Sequence, residues 1–94
     1  MNRTELVHAL ARRSGLSREE AHRAVQGLFD PGDGVIVRAL RRGRAVRITG
    51  FGTFEPRRRP PRVGRNPRTG DPIRIGASAS VGFRAGRPLR EGIR

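Results

Sequence analysis

RAVRITGFGTFEPRRRPPRVGRNPRTGDPIRI, residues 44–75, decides the fold. At its start the apolar period is two. Val46 and Ile48 alternate with Arg47, as in a strand that has one face on a core. Gly50-Phe51-Gly52-Thr53-Phe54 follows, with two glycines for a tight turn and two large apolar anchors. A second strand is expected from about Thr53. Residues 56–72 then change in kind. They hold Pro56, Pro60, Pro61, Pro67 and Pro72, with Arg57, Arg58, Arg59, Arg62, Arg65 and Arg68, and Val63 is their single aliphatic side chain. Such a segment buries too little apolar surface to offset the entropy of ordering it. Yet Ile73 and Ile75 alternate again directly after it, and Asn66-Pro67-Arg68-Thr69-Gly70 carries turn chemistry in the middle. The stretch therefore predicts a long β-hairpin arm over 56–73, turning at Pro67. Prolines are tolerated on ribbon edges, where no ladder donor is needed.

Toward the N-terminus the period changes to that of a helix. Leu6, Val7, Leu10 and Ala11 share a face of a helix over 3–14, with Asn2 as N-cap, Glu5 three residues on and Gly15 as the stop. Ser17-Arg18-Glu19-Glu20 opens a second helix with a capping box, and Ala21, Ala24, Val25, Leu28 and Phe29 continue its apolar stripe. Pro31-Gly32-Asp33-Gly34 breaks it. Helical spacing resumes from Val35 to Arg42, with Ile36, Ala39 and Leu40 inward and Gly43 at the end. Toward the C-terminus, Val81 and Phe83 predict one more short strand, and Pro88 to Ile93 a short helix. The fold class is α+β: an N-terminal helical base, its helix-turn-helix having a second helix kinked or split at 31–34, then a three-stranded antiparallel sheet with a long β-hairpin arm and a short C-terminal helix. One domain spans 1–94, with a helical base over 1–43 and the sheet, the arm and the last helix over 44–94.

Charge separates the two parts. All 21 basic residues among the 94 are arginine, and the formal net charge is +13. Residues 1–34 balance five arginines against five acids, whereas 35–94 hold sixteen arginines against Glu55, Asp71 and Glu91. A neutral scaffold joined to a strongly basic remainder points to a polyanion partner. With no cysteine, neither disulfides nor thiolate metal sites can supplement so small a core, so dimerisation is the expected supplement. No targeting signal and no segment of membrane-span length is visible, so a cytoplasmic chain without a membrane partner is expected.

Alternatives to the arm as the functional element are weaker. The first two helices could be misread as a major-groove reader, but their charge balance suits a scaffold. His8 and His22 lie on helices without a nearby carboxylate–histidine–cysteine cluster and suit surface or boundary positions. Gly50-Phe51-Gly52 has neither the following helix nor the Lys-Ser/Thr of a phosphate loop. No paired carboxylates and no nucleophile with its base stand out. An enzyme, a cofactor and a small-molecule substrate are therefore not expected. Arginine-rich ribbons also suit RNA, but the four phenylalanines read as core rather than as base-stacking platforms.

Met1-Asn2-Arg3-Thr4-Glu5-Leu6, Ser14-Gly15-Leu16-Ser17, Gly50-Phe51-Gly52-Thr53-Phe54 and Gly64-Arg65-Asn66-Pro67-Arg68-Thr69-Gly70 resemble the bacterial HU and integration host factor family over nearly the whole chain. The resemblance implies an intertwined dimer, a homodimer as read here, in which two arms embrace double-stranded DNA in the nucleoid. Phe29, Phe51, Phe54 and Phe83 would enter the dimer core. Pro67 would be an intercalating wedge at each arm tip. Arg57, Arg59, Arg62, Arg65, Asn66 and Arg68 would line the minor groove, and Arg74 on the returning strand would be a further DNA-binding residue. Arg3, Arg84, Arg87 and Arg90 would meet flanking phosphates. The implied function is architectural: bending the duplex with low sequence specificity, or at chosen sites in the manner of integration host factor. Against the family pattern, Pro31–Gly34 reads as a four-residue insertion. Ala79 stands where lysine is frequent, Ala85 where proline is frequent, and Val63 where a basic residue is common.

Overall fold

The computed structural model describes residues Met1–Arg94, which form two compact units, Met1–Arg42 and Gly43–Arg94. The first unit holds α1 (Arg3–Ser14), α2 (Arg18–Phe29) and α3 (Val35–Arg41). Both expected N-caps are made. The Asn2 side chain accepts from the Glu5 amide at 2.8 Å. Ser17 and Glu20 exchange the two bonds of a capping box, Glu20 amide to Ser17 Oγ at 3.1 Å and Ser17 amide to Glu20 Oε1 at 3.0 Å. The Ser17 backbone bond holds the Glu20 carboxyl below the usual carboxylate range, and the Ser17 hydroxyl adds to this. Gly15 ends α1 with φ 77°, donating to the Ala11 carbonyl. Val7, Ala21 and Val25 form the buried core between α1 and α2, with Leu10 and Ala11 packed against it.

The break after α2 is a complete split rather than a kink. Pro31 cannot donate to an i−4 carbonyl. Asp30 closes α2 by donating its amide to Gln26. It also starts the turn, since its Oδ2 accepts from the Asp33 amide at 3.0 Å and its carbonyl from the Gly34 amide at 2.9 Å. A side-chain hydrogen bond between Asp33 and Asp30 holds the Asp30 carboxyl low and pushes that of Asp33 up. Gly34 packs tightly into this turn. A Cβ there would lie 2.7 Å from the Asp30 carbonyl oxygen, 2.8 Å from the Asp30 nitrogen and 3.0 Å from the Leu28 oxygen. All three are backbone atoms that cannot swing aside. Gly34→Ala is therefore expected to cost about 2 kcal/mol, within the range for overpacking. Gly32→Ala meets only the tip of the Asp30 side chain, at 3.2 Å, and should cost far less. Urea unfolding of both variants at one protein concentration checks this, and equal midpoints would show that Gly34 is not the constraint.

The second unit holds β1 (Val46–Ile48), β2 (Gly52–Arg59), β3 (Arg62–Arg65), β4 (Pro72–Ile75), β5 (Ser78–Ala85) and α4 (Arg87–Gly92). β1, β2 and β5 form an antiparallel sheet in that order, and β3 and β4 form a separate two-stranded ribbon. Register fixes the faces. Val46 and Ile48 pair with Phe54 and Gly52, while Phe83, Val81 and Ala79 pair with Phe54, Pro56 and Arg58. Because side chains alternate, these residues share one largely apolar face. On it the Phe83 ring lies 4.8 Å from that of Phe54 and 5.8 Å from that of Phe51, centroid to centroid. The ring also covers Gly52, where any Cβ would collide with it.

Two elements differ from the sequence expectation. β5 is eight residues long and pairs along the whole of β2. Its Ser-Ala-Ser start has no apolar alternation, so only Val81 and Phe83 signal it. The hairpin is also interrupted on both strands. Ladder pairing stops at Arg59↔Ser78 and restarts at Arg62↔Ile75. Pro60 and Pro61 occupy the gap on one side, without amide donors, and Gly76-Ala77 occupies it on the other.

Candidate nucleic-acid interface

The arm tip is closed by its own polar groups. The Asn66 amide donates to the Asp71 carbonyl at 2.8 Å, and the Gly70 amide to the Asn66 carbonyl at 2.7 Å. Asn66 Oδ1 accepts from the Arg68 amide at 2.9 Å, and Thr69 Oγ1 from the Asp71 amide at 3.2 Å. Arg65 Nη1 reaches the Gly70 carbonyl at 3.3 Å. Gly70 has φ 76°, a conformation that favours glycine. None of these bonds uses the ring of Pro67, which is exposed at the extremity of the turn.

Strand register distributes the arm arginines over both faces of the ribbon. Arg62 and Gly64 oppose Ile75 and Ile73, so Arg62 shares its face with the two isoleucines. Ile75 folds over Gly64 there. Arg65 and Arg74 share the other face with Val63 and Pro72. Thus β3 and β4 present guanidinium groups on both faces, and Arg68 stands at the turn.

The polar face of the sheet is the second cationic surface. Thr53, Glu55, Arg57 and Arg59 oppose Arg84, Gly82, Ser80 and Ser78, and Arg47 opposes Thr53 from β1. This face brings Arg57, Arg59 and Arg84 together and adds Arg47, which the sequence reading passed over. Its signal was present: Arg47 stands between Val46 and Ile48, so period two already sends it away from the apolar face. The Arg57 guanidinium lies across Gly82, where a Cβ would collide with it. Glu55 is the one acid of this face and pairs with Arg84. α4 carries Arg87 and Arg90, and Arg87 Nε donates to Glu91 Oε1 at 2.9 Å. Arg3, in the helical unit, begins α1.

Exposed ion pairs contribute at most about 1 kcal/mol to stability. Glu55 does more to the potential of the face, since it cancels one guanidinium charge where a polyanion would lie. Glu55→Gln is therefore expected to tighten duplex binding several-fold and steepen its salt dependence, with a small change in melting temperature. Equilibrium binding across a salt series checks this. Weaker binding at unchanged stability would instead show that Glu55 orients Arg84 for contact.

This surface holds no group of three or more His, Cys, Asp or Glu side chains that could bind a metal ion. What it offers is a row of charge-assisted donors suited to phosphate. Residues 1–94 match the family described as Bacterial DNA-binding protein. The chain belongs to the HU family of bacterial DNA-binding proteins. The DNA-binding protein HU of Geobacillus stearothermophilus is 45% identical over 94 residues, covering all of both chains. DNA-binding protein HU 1 of Bacillus subtilis is 43% identical over 93 residues, covering 99% of this chain and 97% of its own. Among solved structures, that of an Anabaena HU–DNA cocrystal superposes with a TM-score of 0.79 at 34% identity, covering 99% of this chain and 97% of that one. The resemblance drawn from the GFGTF and GRNPRTG motifs thus holds across the whole of this HU-family chain, and so does its mixed helix-and-sheet architecture. No helix is long and apolar enough to cross a membrane.

Proposed function

We propose that this HU-family chain is an architectural protein that acts as a homodimer, lays two arms along the minor groove of duplex DNA, and bends it with low sequence specificity. The observation that carries this reading is the arm: a thin two-stranded ribbon with arginines on both faces and an exposed proline at a tip that closes without it. A ribbon of that section tracks a groove, and guanidinium groups favour the strongly negative potential of a narrow minor groove. Arg57, Arg59, Arg62, Arg65, Asn66, Arg68 and Arg74 supply the groove contacts. Arg3, Arg84, Arg87 and Arg90 meet phosphates on the flanks, with Arg47 as an addition to the sheet's cationic face. The Anabaena HU relative, crystallised with DNA, supports DNA as the partner.

Homodimerisation is supported by what a single chain leaves uncovered. Phe29, Phe51 and Phe83 are 49%, 46% and 44% exposed, and Leu28 and Ile48 are comparably open. Aromatic groups this open normally mark an interface. Phe29 joins Phe51, Phe54 and Phe83 in the proposed dimer core, and residues 1–43 serve as the dimerisation base. In the cell this reading places the protein on the nucleoid, without catalytic activity.

Binding affinity for a random-sequence duplex, measured across a salt series, tests the reading. The logarithm of affinity should fall linearly with the logarithm of salt, with a slope of about −0.9 per neutralised phosphate. A flat dependence, or equal affinity for structured RNA, would overturn it.

A further inference from the structure

Away from the arm, the helical unit carries an open cavity of about 240 Å³ between α1 and α2. Arg3, Thr4, Val7 and His8 line it from α1, and Arg18 and His22 from α2. The spacings explain the grouping. Residues 3, 4, 7 and 8 form one stripe of α1, and 18 and 22 are one turn apart on α2. Val7, which is buried, sits among four nitrogen-bearing side chains. No hydrogen bond or ion pair within the chain engages the side chains of Arg3, His8, Arg18 or His22. A unit whose first 34 residues are neutral overall thus gathers two guanidinium and two imidazole groups around one cavity.

No carboxylate lines that cavity. On α1 and α2 the acids are Glu5, Glu19 and Glu20, and Glu20 is committed to the Ser17 amide. In the connection to α3, Asp30 lies near enough to Arg3 for that charge to help hold its carboxyl low, and Asp33 is bonded to Asp30. α3 itself brings only Arg38 and Arg41. The cavity therefore suits an anion and repels a cation, although it holds two imidazoles.

We propose that this cavity is a binding site for a tetrahedral oxyanion, a phosphate or sulfate group. The Thr4 hydroxyl is the remaining polar group of the lining. Arg3 and Arg18 supply fixed charge. His8 and His22 supply imidazole N–H donors. Occupancy favours the imidazolium forms, since an adjacent anion stabilises a cation. By linkage, acid strengthens binding and binding raises the pH at which both rings titrate. The oxyanion can be a free ion or part of a nucleic-acid backbone. Only the second case rests on the function proposed above, through Arg3.

The test follows the ring-proton NMR signals of His8 and His22 through a pH titration. The protein is held in sodium chloride or in sodium sulfate at matched ionic strength. Both midpoints are expected to rise in sulfate. The rise should be largely lost in Arg18→Gln, whose circular dichroism establishes that it is folded. A short blunt duplex is then added to the arm variant Arg62→Gln/Arg68→Gln. A further rise identifies a nucleic-acid phosphate as a ligand, and a rise in sulfate alone identifies a free oxyanion. Midpoints that coincide in chloride, sulfate and duplex would overturn the proposal. The sulfate comparison involves no duplex, so its failure leaves the salt-series test of DNA binding untouched, and the reverse holds.

Discussion

Arg62→Gln combined with Arg68→Gln should weaken duplex binding on the order of a hundredfold near 0.15 M salt and flatten the salt dependence by about 0.9 for each phosphate contact removed. These two arginines are chosen for their position. Arg62 lies on the isoleucine face of the ribbon and Arg68 at the turn. Neither side chain is engaged in a hydrogen bond or ion pair within the chain, whereas Arg65 reaches the Gly70 carbonyl and Arg57 lies across Gly82. Their loss therefore changes charge and leaves the arm's internal bonds in place. In a homodimer each substitution acts twice, so four cationic groups are lost per complex. The melting temperature should hold, since both residues are exposed. A loss of affinity with an unchanged salt slope would mean that these arginines read something other than phosphate charge.

The apolar periodicities made most of this architecture legible. Helical spacing around Val7 and Val25, and the alternation of Val46 and Ile48, are signals of the core itself, so they survive in the sequence. Caps survive for the same reason, because Asn2 and Ser17 act on amides three residues away. A break at 31–34 was readable because Pro31 removes a donor outright, though the choice between a kink and a full split was not. β5 was only partly readable: its first three residues, Ser78 to Ser80, are exposed and pair with β2 through the backbone, without an apolar alternation to signal them. The double interruption of the arm was likewise hidden. Pro60 and Pro61 mark one strand, but the facing Gly76-Ala77 gap depends on register, a long-range property. The same holds for the site. Arginine content located the arm, yet the division of Arg62 from Arg65 and Arg74 between faces, and the Glu55–Arg84 pair across β2 and β5, follow from pairing alone.

Pro67→Ala is the second large effect, and it falls on DNA shape more than on affinity. A proline at a hairpin tip is ordinarily explained as a turn former. Here the turn is held by the Asn66 carbonyl and side chain, the Thr69 hydroxyl and the left-handed Gly70, none of which needs the pyrrolidine ring. Alanine at 67 should therefore leave the tip folded, and the ring is free to act on a partner. If it enters a base step, it partly unstacks that step at a cost of a few kcal/mol, which the wrapped flanks offset. Removing the wedge removes both the cost and part of the wrapping, so the two changes oppose each other in affinity. They do not oppose each other in geometry. The expected result is a clear decrease in bend angle by fluorescence transfer between duplex ends, with affinity reduced by less than about tenfold, or 1.4 kcal/mol. Asn66→Ala provides the contrast. It removes the bond to the Arg68 amide and should disturb the tip itself, lowering affinity and bending together. An unchanged bend angle in a Pro67→Ala protein that still binds would assign the proline to the turn after all.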